Sequence, residues 1–193
     1  MRTRSDLLDN PVPQEHVVQL YGTNDGLLAD NVARYLREGL KRGDGLLVIA
    51  STQHRGSFVR ALGEAPGYSR AVLEGRLVFL DAEGTLKRFL VDGEPDQVRF
   101  QSVIGEALEG VRSRTGRARI RAYGEMVGVL WSQKQYAAAL RLEELWNQLL
   151  VSSDVSLFCG YPVDPAWHQG PVDSVLSSHT HSIDTAPEVK GLA

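Results

Sequence analysis

The chain of 193 residues has little of what marks secreted, membrane or nucleic-acid-binding proteins. Its single cysteine, Cys159, excludes an internal disulfide framework and favours a reducing compartment. No apolar run approaches the roughly 20 residues that cross a bilayer, and residues 1–14 contain no apolar segment typical of a signal peptide. With 21 basic against 24 acidic residues, no overall positive charge attracts nucleic acid or anionic lipid. We therefore expect a cytoplasmic protein with neither nucleic-acid nor membrane partners.

The motifs of common nucleotide and ester enzymes are also absent. After the first predicted strand the chain reads YGTNDGLLADN (21–31), without the lysine and the following Ser or Thr of a phosphate-binding loop. No G-x-G-x-x-G follows this strand, and no G-x-S-x-G occurs in the chain. These absences disfavour ATP hydrolysis and dinucleotide binding. We predict that the protein is not an enzyme and uses no cofactor.

What the sequence does contain is a regular alternation of strand and helix patterns. Short apolar or β-branched runs predict strands, and stripes of helical period separate them. This alternation predicts an α/β fold with a single-domain three-layer sandwich, a mostly parallel sheet of at least five strands and helices on both faces. We expect a flexible leader over 1–14, a folded domain over 15–183 and a flexible tail over 184–193. The five strand patterns lie at 16–22, 46–51, 76–82, 119–126 and 155–161.

A candidate site follows from this predicted topology. In parallel sheets, ligands bind beyond the carboxyl ends of the strands. The residues at or near those ends are candidate ligand contacts, and Trp131 is a candidate aromatic cover for the site. They are Tyr21, Asn24, Asp25, Ser51, His54, Asp81, Tyr123, Glu125, Trp131, Cys159 and Tyr161.

Five segments in this order resemble the MEDS family, the sensory domain of methanogens, methylotrophs and the DcmR regulator. They are HVVQLYGTNDGLLADNVARYLREGLKRGDGLLVIAS, GRLVFLDA, TLKRFLVDGEPD, RAYGEMVGVLW and SSHTHSI. The resemblance covers 16–183. It implies a RecA- or KaiC-like fold that has lost its phosphate loop (Walker A), and a role in bacterial or archaeal signal transduction in which a small organic compound is sensed. Because the chain has no room for an output domain, the resemblance also implies signalling through a histidine kinase, a response regulator or an anti-sigma-type protein.

Several single residues carry narrower expectations. Arg121, Tyr123 and Glu125 alternate along one strand, which predicts a buried pair of Arg121 with Glu125 or, alternatively, ligand contact. His179 and His181 have the spacing of a metal-chelating pair, but nothing nearby in sequence completes a ligand set, so we predict no metal.

Three functions are compatible with these sequence features. The favoured one is a non-catalytic sensory module that binds a small, largely apolar organic ligand or a signalling partner at the carboxyl edge of the sheet. The first alternative is a degenerate nucleotide-binding protein with weak or no ATPase activity. The second is a pure interaction scaffold in a two-component or anti-sigma pathway. A homodimer could use the helix predicted over 135–151, through Tyr136, Leu140 and Trp146.

Overall fold

A six-stranded parallel sheet forms the centre of the protein in a computed structural model that describes residues 2–22, 24–116, 118–163 and 171–183. The strands lie in the order β3-β2-β6-β7-β1-β8, and a separate antiparallel hairpin joins β4 to β5. The strands are β1 His16–Tyr21, β2 Gly45–Ala50, β3 Leu77–Asp81, β4 Leu90–Val91, β5 Glu94–Pro95, β6 Ile120–Gly124, β7 Val155–Pro162 and β8 His181–Ile183.

Helices cover both faces of this sheet. In the described ranges, none of them is both long and apolar enough to cross a membrane. The helices are α1 Arg4–Asp9, α2 Gly26–Arg42, α3 Thr52–Leu62, α4 Tyr68–Leu73, α5 Ala82–Lys87, α6 Gln97–Thr115, α7 Met126–Ser132, α8 Tyr136–Leu150 and α9 Val172–Ser177.

The two faces bury separate apolar cores because successive strand residues point to opposite sides. Val18 and Leu20 of β1 pack into the core beneath α5 to α9, whereas Val17 packs into the core beneath α1 to α4. Every residue of β2 is buried, as expected for a strand covered on both faces. The predicted three-layer α/β sandwich is confirmed.

The expectation of a loose leader does not hold for residues 4–9. They form α1, which begins with a capping box between Thr3 and Asp6 and buries Leu7 and Leu8 against α2. Burial of two leucines stabilises a helix that is too short to form by itself. The predicted tail over 184–193 lies outside the described residues.

Arg121 explains why α1 is held in place. Its buried guanidinium contacts Asp44 at 2.8 Å and donates to the carbonyl oxygens of Leu8 and Asp9 at 2.9 and 3.1 Å. The predicted pair of Arg121 with Glu125 is therefore wrong. Asp44 precedes β2 at the amino end of the sheet, toward which Arg121 extends, whereas Glu125 lies beyond the carboxyl end of β6.

The helix considered for a dimer interface instead faces the core of its own chain. Trp146 of α8 is fully buried in the core that this helix covers, and Tyr136 and Leu140 pack against the same core. Its apolar stripe is thus used within the fold, which is the other meaning of an amphipathic pattern.

Candidate functional site

A cleft of about 320 Å³ lies at the carboxyl edge of the sheet, where β1, β2, β6 and β7 end. We call it the edge cleft. Its position agrees with the general rule for ligand sites in parallel sheets. Polar side chains line one part, and apolar groups from α7 and the end of β7 line the other. The lining residues are Tyr21, Gly22, Asp25, Ser51, Gln53, His54, Glu125, Gly128, Val129, Ser132 and Pro162.

Glu125 occupies the centre of the polar part. It follows β6 directly, and its backbone N–H donates to the carbonyl oxygen of Ile49 at 3.1 Å, which fixes it between β6 and β2. Its carboxylate accepts hydrogen bonds from the Ser51 N–H, from His54 Nδ1 at 2.6 Å and from the Tyr123 hydroxyl at 3.1 Å. These donors satisfy a carboxylate whose side chain is only 7% exposed.

His54 connects this buried carboxylate to a second, more exposed one. It lies in the first turn of α3, where Ser51 caps the helix by accepting from the His54 backbone N–H. Its Nδ1 contacts Glu125, and its Nε2 lies 3.0 Å from Oδ2 of Asp25. The ring stacks on Phe58. The result is a chain of charges, Asp25–His54–Glu125, that runs from the mouth of the edge cleft to its floor.

The pKa shifts of His54 and Glu125 favour the charged forms of both groups. Burial lowers the pKa of His54, but hydrogen bonds and charges from Glu125 and Asp25 outweigh burial and raise it. Burial raises the pKa of Glu125, but the contacts with His54 and Ser51 outweigh it and lower the pKa. Both shifts favour an imidazolium between two carboxylates. His54 therefore offers two donors and no lone pair.

Asp25 and Asn24 act differently from simple helix caps. Asp25 is the residue before α2 but makes no capping hydrogen bond with its side chain. It accepts instead from His54 and, at 3.3 Å, from the Gln53 amide. Its side chain remains 37% exposed, so it is open to a ligand. Asn24 is exposed, does not line the cleft, and accepts from the Gly26 N–H at 3.0 Å.

Tyr21 and Tyr123 flank the charged chain. Burial and the nearby carboxylates Glu125 and Asp25 raise the pKa of Tyr21, so its hydroxyl stays protonated and can donate. Tyr123 is fully buried and supports Glu125 from below, rather than lining the cleft. Tyr21 therefore offers a hydrogen-bond donor at the cleft, and Tyr123 positions the floor.

Four other predicted site residues lie away from the edge cleft. Asp81 ends the edge strand β3 and caps α5, accepting from the Gly84 N–H at 2.7 Å. Trp131, Cys159 and Tyr161 are buried in the core beneath α8. A position near the carboxyl end of a strand does not by itself place a residue in the edge cleft, because the side chain must also point toward the cleft.

The sequence did not identify the α7 wall of the cleft. Gly128, Val129 and Ser132 lie three, four and seven positions after Glu125. This is the spacing of one helix face, so a helix beginning directly after Glu125 would have predicted these contacts. The glycine is required there, because a Cβ at position 128 would come within 2.9 Å of the Gly160 carbonyl oxygen.

The two tail histidines do not form the pair that their spacing suggested. His179 precedes β8, and its side chain is fully buried beside His16. His181 lies in β8, where its Nδ1 is 3.0 Å from the Thr180 hydroxyl. An i, i+2 pair shares a face only when both residues are in the same strand.

Comparison with known proteins gives this site a context. A family model described as MEDS, the methanogen/methylotroph, DcmR sensory domain, matches residues 15–180. A comparison with curated proteins found no match to the chain. The matched range contains every residue that lines the edge cleft, from Tyr21 to Pro162. The family description supports a sensory role in signalling. Since the match spans most of the chain, the protein belongs to the MEDS family of sensory domains.

Proposed function

We propose that the protein is a non-catalytic sensory module that binds a small organic ligand in the edge cleft and signals through a partner protein. The observation that carries this proposal is the ionised chain Asp25–His54–Glu125, which lines an accessible cleft in a member of a sensory family. Charged groups in a cleft with shifted pKa values are typical of functional sites.

The cleft's charge favours a particular class of ligand. None of the described residues that line it is Lys or Arg, and two carboxylates face one imidazolium, so its net charge is negative. Asp25 also occupies the start of α2, where a phosphate would otherwise bind. Val129 and Pro162 provide an apolar wall. These features support a small molecule with a hydrogen-bond-donating end and a short apolar body, such as an amine or an alcohol, and disfavour nucleotides.

A non-catalytic role is supported by the hydrogen bonds of His54. Its two ring nitrogens both contact carboxylates, so no lone pair is free to act as a general base. Ser51 is likewise engaged as the cap of α3. A ligand that donates to Asp25 would compete with His54 for that carboxylate. Such competition would shift the segments that begin α2 and α3 between two arrangements.

The partner in this proposal is a histidine kinase, a response regulator or an anti-sigma-type protein that contacts the carboxyl edge of the sheet. That edge brings together the starts of α2, α3 and α7, three segments that a ligand in the edge cleft would touch. A change in their relative positions is a signal that a docked protein can read.

The proposal is tested by thermal shift and calorimetry with short-chain alkylamines, alcohols and carboxylates, and with Mg-ATP as a separate arm. At a concentration 100 times its Kd, a bound ligand adds about 2.7 kcal/mol to the free energy of unfolding. We expect shifts with an amine or alcohol and none with carboxylates or Mg-ATP. A shift with Mg-ATP alone would favour the nucleotide-binding alternative, and no shift with any compound would favour the scaffold.

Two variants at the end of α7 locate the binding. Ser132→Trp places a ring at the wall of the cleft and should abolish the thermal shift. Gln133→Trp, at the exposed neighbouring position that does not line the cleft, should retain that shift. Tyr21→Phe removes one hydrogen-bond donor and should weaken ligand binding by about tenfold, the effect of one hydrogen bond. Equal binding by Ser132→Trp and Gln133→Trp would exclude the edge cleft as the site.

A further inference from the structure

Four side chains with metal-binding atoms meet within the core beneath α8. They are His16 of β1, Glu143 of α8, Cys159 of β7 and His179, which follows α9, and we call them the buried cluster. One nitrogen, sulfur or oxygen atom from each lies within 4.8 Å of all the others. All four side chains are fully or almost fully buried. None of them lines the edge cleft.

Three contacts in the buried cluster have the lengths found between neighbouring ligands of a metal, and the ligand atoms of the whole set lie within 4.8 Å of one another. His16 Nε2 lies 3.3 Å from Cys159 Sγ and 3.3 Å from Glu143 Oε2, and His179 Nε2 lies 3.4 Å from Glu143 Oε1. Around a tetrahedral Zn²⁺ with bonds of about 2.0–2.3 Å, neighbouring ligand atoms are about 3.3–3.8 Å apart. An ion therefore fits once the more widely spaced ligand atoms move inward.

Neighbouring groups aim both histidines at the cluster. His16 Nδ1 lies 2.8 Å from Oδ1 of Asn147, whose amide group is oriented by donating to the Ser178 carbonyl at 2.9 Å. His179 Nδ1 lies 2.7 Å from the Val175 carbonyl oxygen. Since both acceptors are oxygens, the protons belong on Nδ1 and the lone pairs on Nε2. Histidine ligands of metals commonly have this outer arrangement.

The atoms that face one another are mainly acceptors. Glu143 Oε1 accepts from the Tyr161 hydroxyl, but Glu143 Oε2 and His179 Nε2 have no hydrogen-bond partner among the described residues. Buried polar atoms are rarely left in this way. The Cys159 thiol can donate to His16 Nε2, and a proton on Glu143 could be donated to His179 Nε2, so the cluster without a metal would use two separate protons. A cation would serve both imidazoles, the carboxylate and the sulfur together.

We propose that His16, Glu143, Cys159 and His179 bind one divalent transition-metal ion, and that Zn²⁺ fits this set best. Two nitrogens and a sulfur disfavour Mg²⁺ and Ca²⁺, which prefer oxygen ligands. On binding, the thiol and the carboxyl group lose their protons to solvent, so two negative ligands balance the ion's charge and the buried site is neutral. Four protein ligands also characterise closed structural sites rather than catalytic ones.

The ion would join parts of the chain that are far apart in sequence. Its ligands come from the first strand of the sheet, from α8, from β7 and from the segment between α9 and β8. Binding would therefore hold the β8 segment against the sheet, in addition to the parallel pairing of β8 with β1. Structural metal sites contribute their binding free energy directly to folding.

The test uses the full chain, stripped of metal with EDTA and titrated with Co²⁺, which reports thiolate ligation through a charge-transfer band. We expect one Co²⁺ per chain, the charge-transfer band, visible bands of tetrahedral Co²⁺, and displacement of the spectrum by Zn²⁺. X-ray absorption of the Zn²⁺ form should show one sulfur and three nitrogen or oxygen ligands. Binding of clearly less than one Co²⁺ per chain, or a Zn²⁺ ligand shell without sulfur, would overturn the proposal. Both measurements use the unaltered chain, so they do not depend on whether any variant folds.

Variants then assign the ligands. Cys159→Ser should remove the charge-transfer band and weaken Co²⁺ binding more than Asn147→Ala, for which the loss of an outer partner predicts about 10–100-fold. His181→Ala is the matched control, since it removes a nearby histidine outside the buried cluster and should leave binding within about twofold. Circular dichroism of the metal-free variants confirms that each is folded. Unchanged binding by Cys159→Ser would place the metal elsewhere.

Discussion

The edge cleft and the buried cluster use the same kinds of side chain in opposite electrostatic states. In the edge cleft, His54 has a raised pKa and lies between two carboxylates, which accept hydrogen bonds from its two ring N–H groups. In the buried cluster, burial and the neighbouring His179 lower the pKa of His16 to about 3, and burial raises the pKa of Glu143 to about 8. The edge cleft pairs opposite charges within the protein, whereas the buried cluster favours the neutral form of each of its members.

This difference shows how hydrogen-bond partners, rather than residue types, determine what a site can do. The carboxylate of Glu125 receives three donors, so it remains ionised in the protein itself. The carboxyl group of Glu143 receives one, from Tyr161, and faces two imidazole lone pairs. The hydrogen bonds of Glu125 and His54 are satisfied within the protein, so a ligand can interact with this charged chain only at its exposed end, Asp25. The second has the acceptors that a cation requires.

The sharpest contrast comes from the same substitution at the two glutamates. In metal-free protein, Glu125→Gln should lower the free energy of unfolding by about 3 kcal/mol, because it breaks a buried ion pair and sets an amide N–H₂ against donors. Glu143→Gln should change it by less than about 1 kcal/mol, because its amide can donate to a histidine Nε2. Urea unfolding in EDTA measures both. Equal losses would remove the distinction between the sites.

The pH dependence of stability should separate the two sites next. Since the folded-state pKa of His54 exceeds 6.5, its stabilisation is complete below pH 6.5 and is lost as pH rises through that pKa. Glu125, whose pKa lies below 4.5, contributes above pH 4.5 and loses its contribution as pH falls. Asp25, Tyr21 and Tyr123 also face this pair. For one proton, the slope is at most about 1.4 kcal/mol per pH unit.

Comparison of wild type with His54→Gln isolates this dependence. Unfolding curves measured from pH 5 to pH 9 in EDTA should converge as pH rises above the folded-state pKa of His54. A wild-type stability that increases over this range relative to the variant would contradict the assigned sign. NMR titration of the His54 ring gives the pKa independently.

A smaller effect is expected at Asp81, a candidate that the structure places outside the edge cleft. Asp81→Ala removes the side-chain cap of α5 and should lower the free energy of unfolding by about 1 kcal/mol. Ligand binding should be unchanged, because Asp81 lies on the edge strand. A loss of ligand affinity greater than a few fold would extend the functional site to β3.

His181→Ala should have the smallest effect. This side chain is partly exposed, and its one hydrogen bond among the described residues is with its neighbour Thr180. Surface substitutions of this kind change the free energy of unfolding by less than about 0.5 kcal/mol. A larger loss, measured by urea unfolding, would show that β8 depends on more than its pairing and the burial of Ile183.

Much of the fold followed from patterns that are local in sequence. The strand patterns at 16–22, 46–51 and 119–126 predicted parallel strands. The rule for the carboxyl ends of such strands placed Asp25, Ser51, His54 and Glu125 among the candidate site residues. The pairing of His54 with Glu125 did not follow, because it depends on the order of β2 and β6 in the sheet. Helix α1 was missed because its stability comes from burial against α2 and not from its own sequence.

The buried cluster required contacts that no local pattern contains. His16 and Cys159 are 143 residues apart and meet only because β1 pairs with β7. One local signal was readable: Glu143 lies on the stripe formed by Ala139, Leu142 and Trp146, where a charged residue is unusual. A carboxyl group on an apolar helix face indicates a buried polar site, although it does not identify the other members.

The position of β1 also determines when the sheet is completed during synthesis. β1 leaves the ribosome first among the sheet strands, yet its two neighbours, β7 and β8, are the last to be made. The His16 backbone N–H donates to Thr180 across 164 residues of chain. β2, β3 and β6 can pair with one another before β7 and β8 are synthesised, whereas both edges of β1 stay unpaired until that point. Nascent chains that stall before β7 would therefore expose HVVQLY to chaperones and proteases, since an unpaired apolar strand is prone to aggregation.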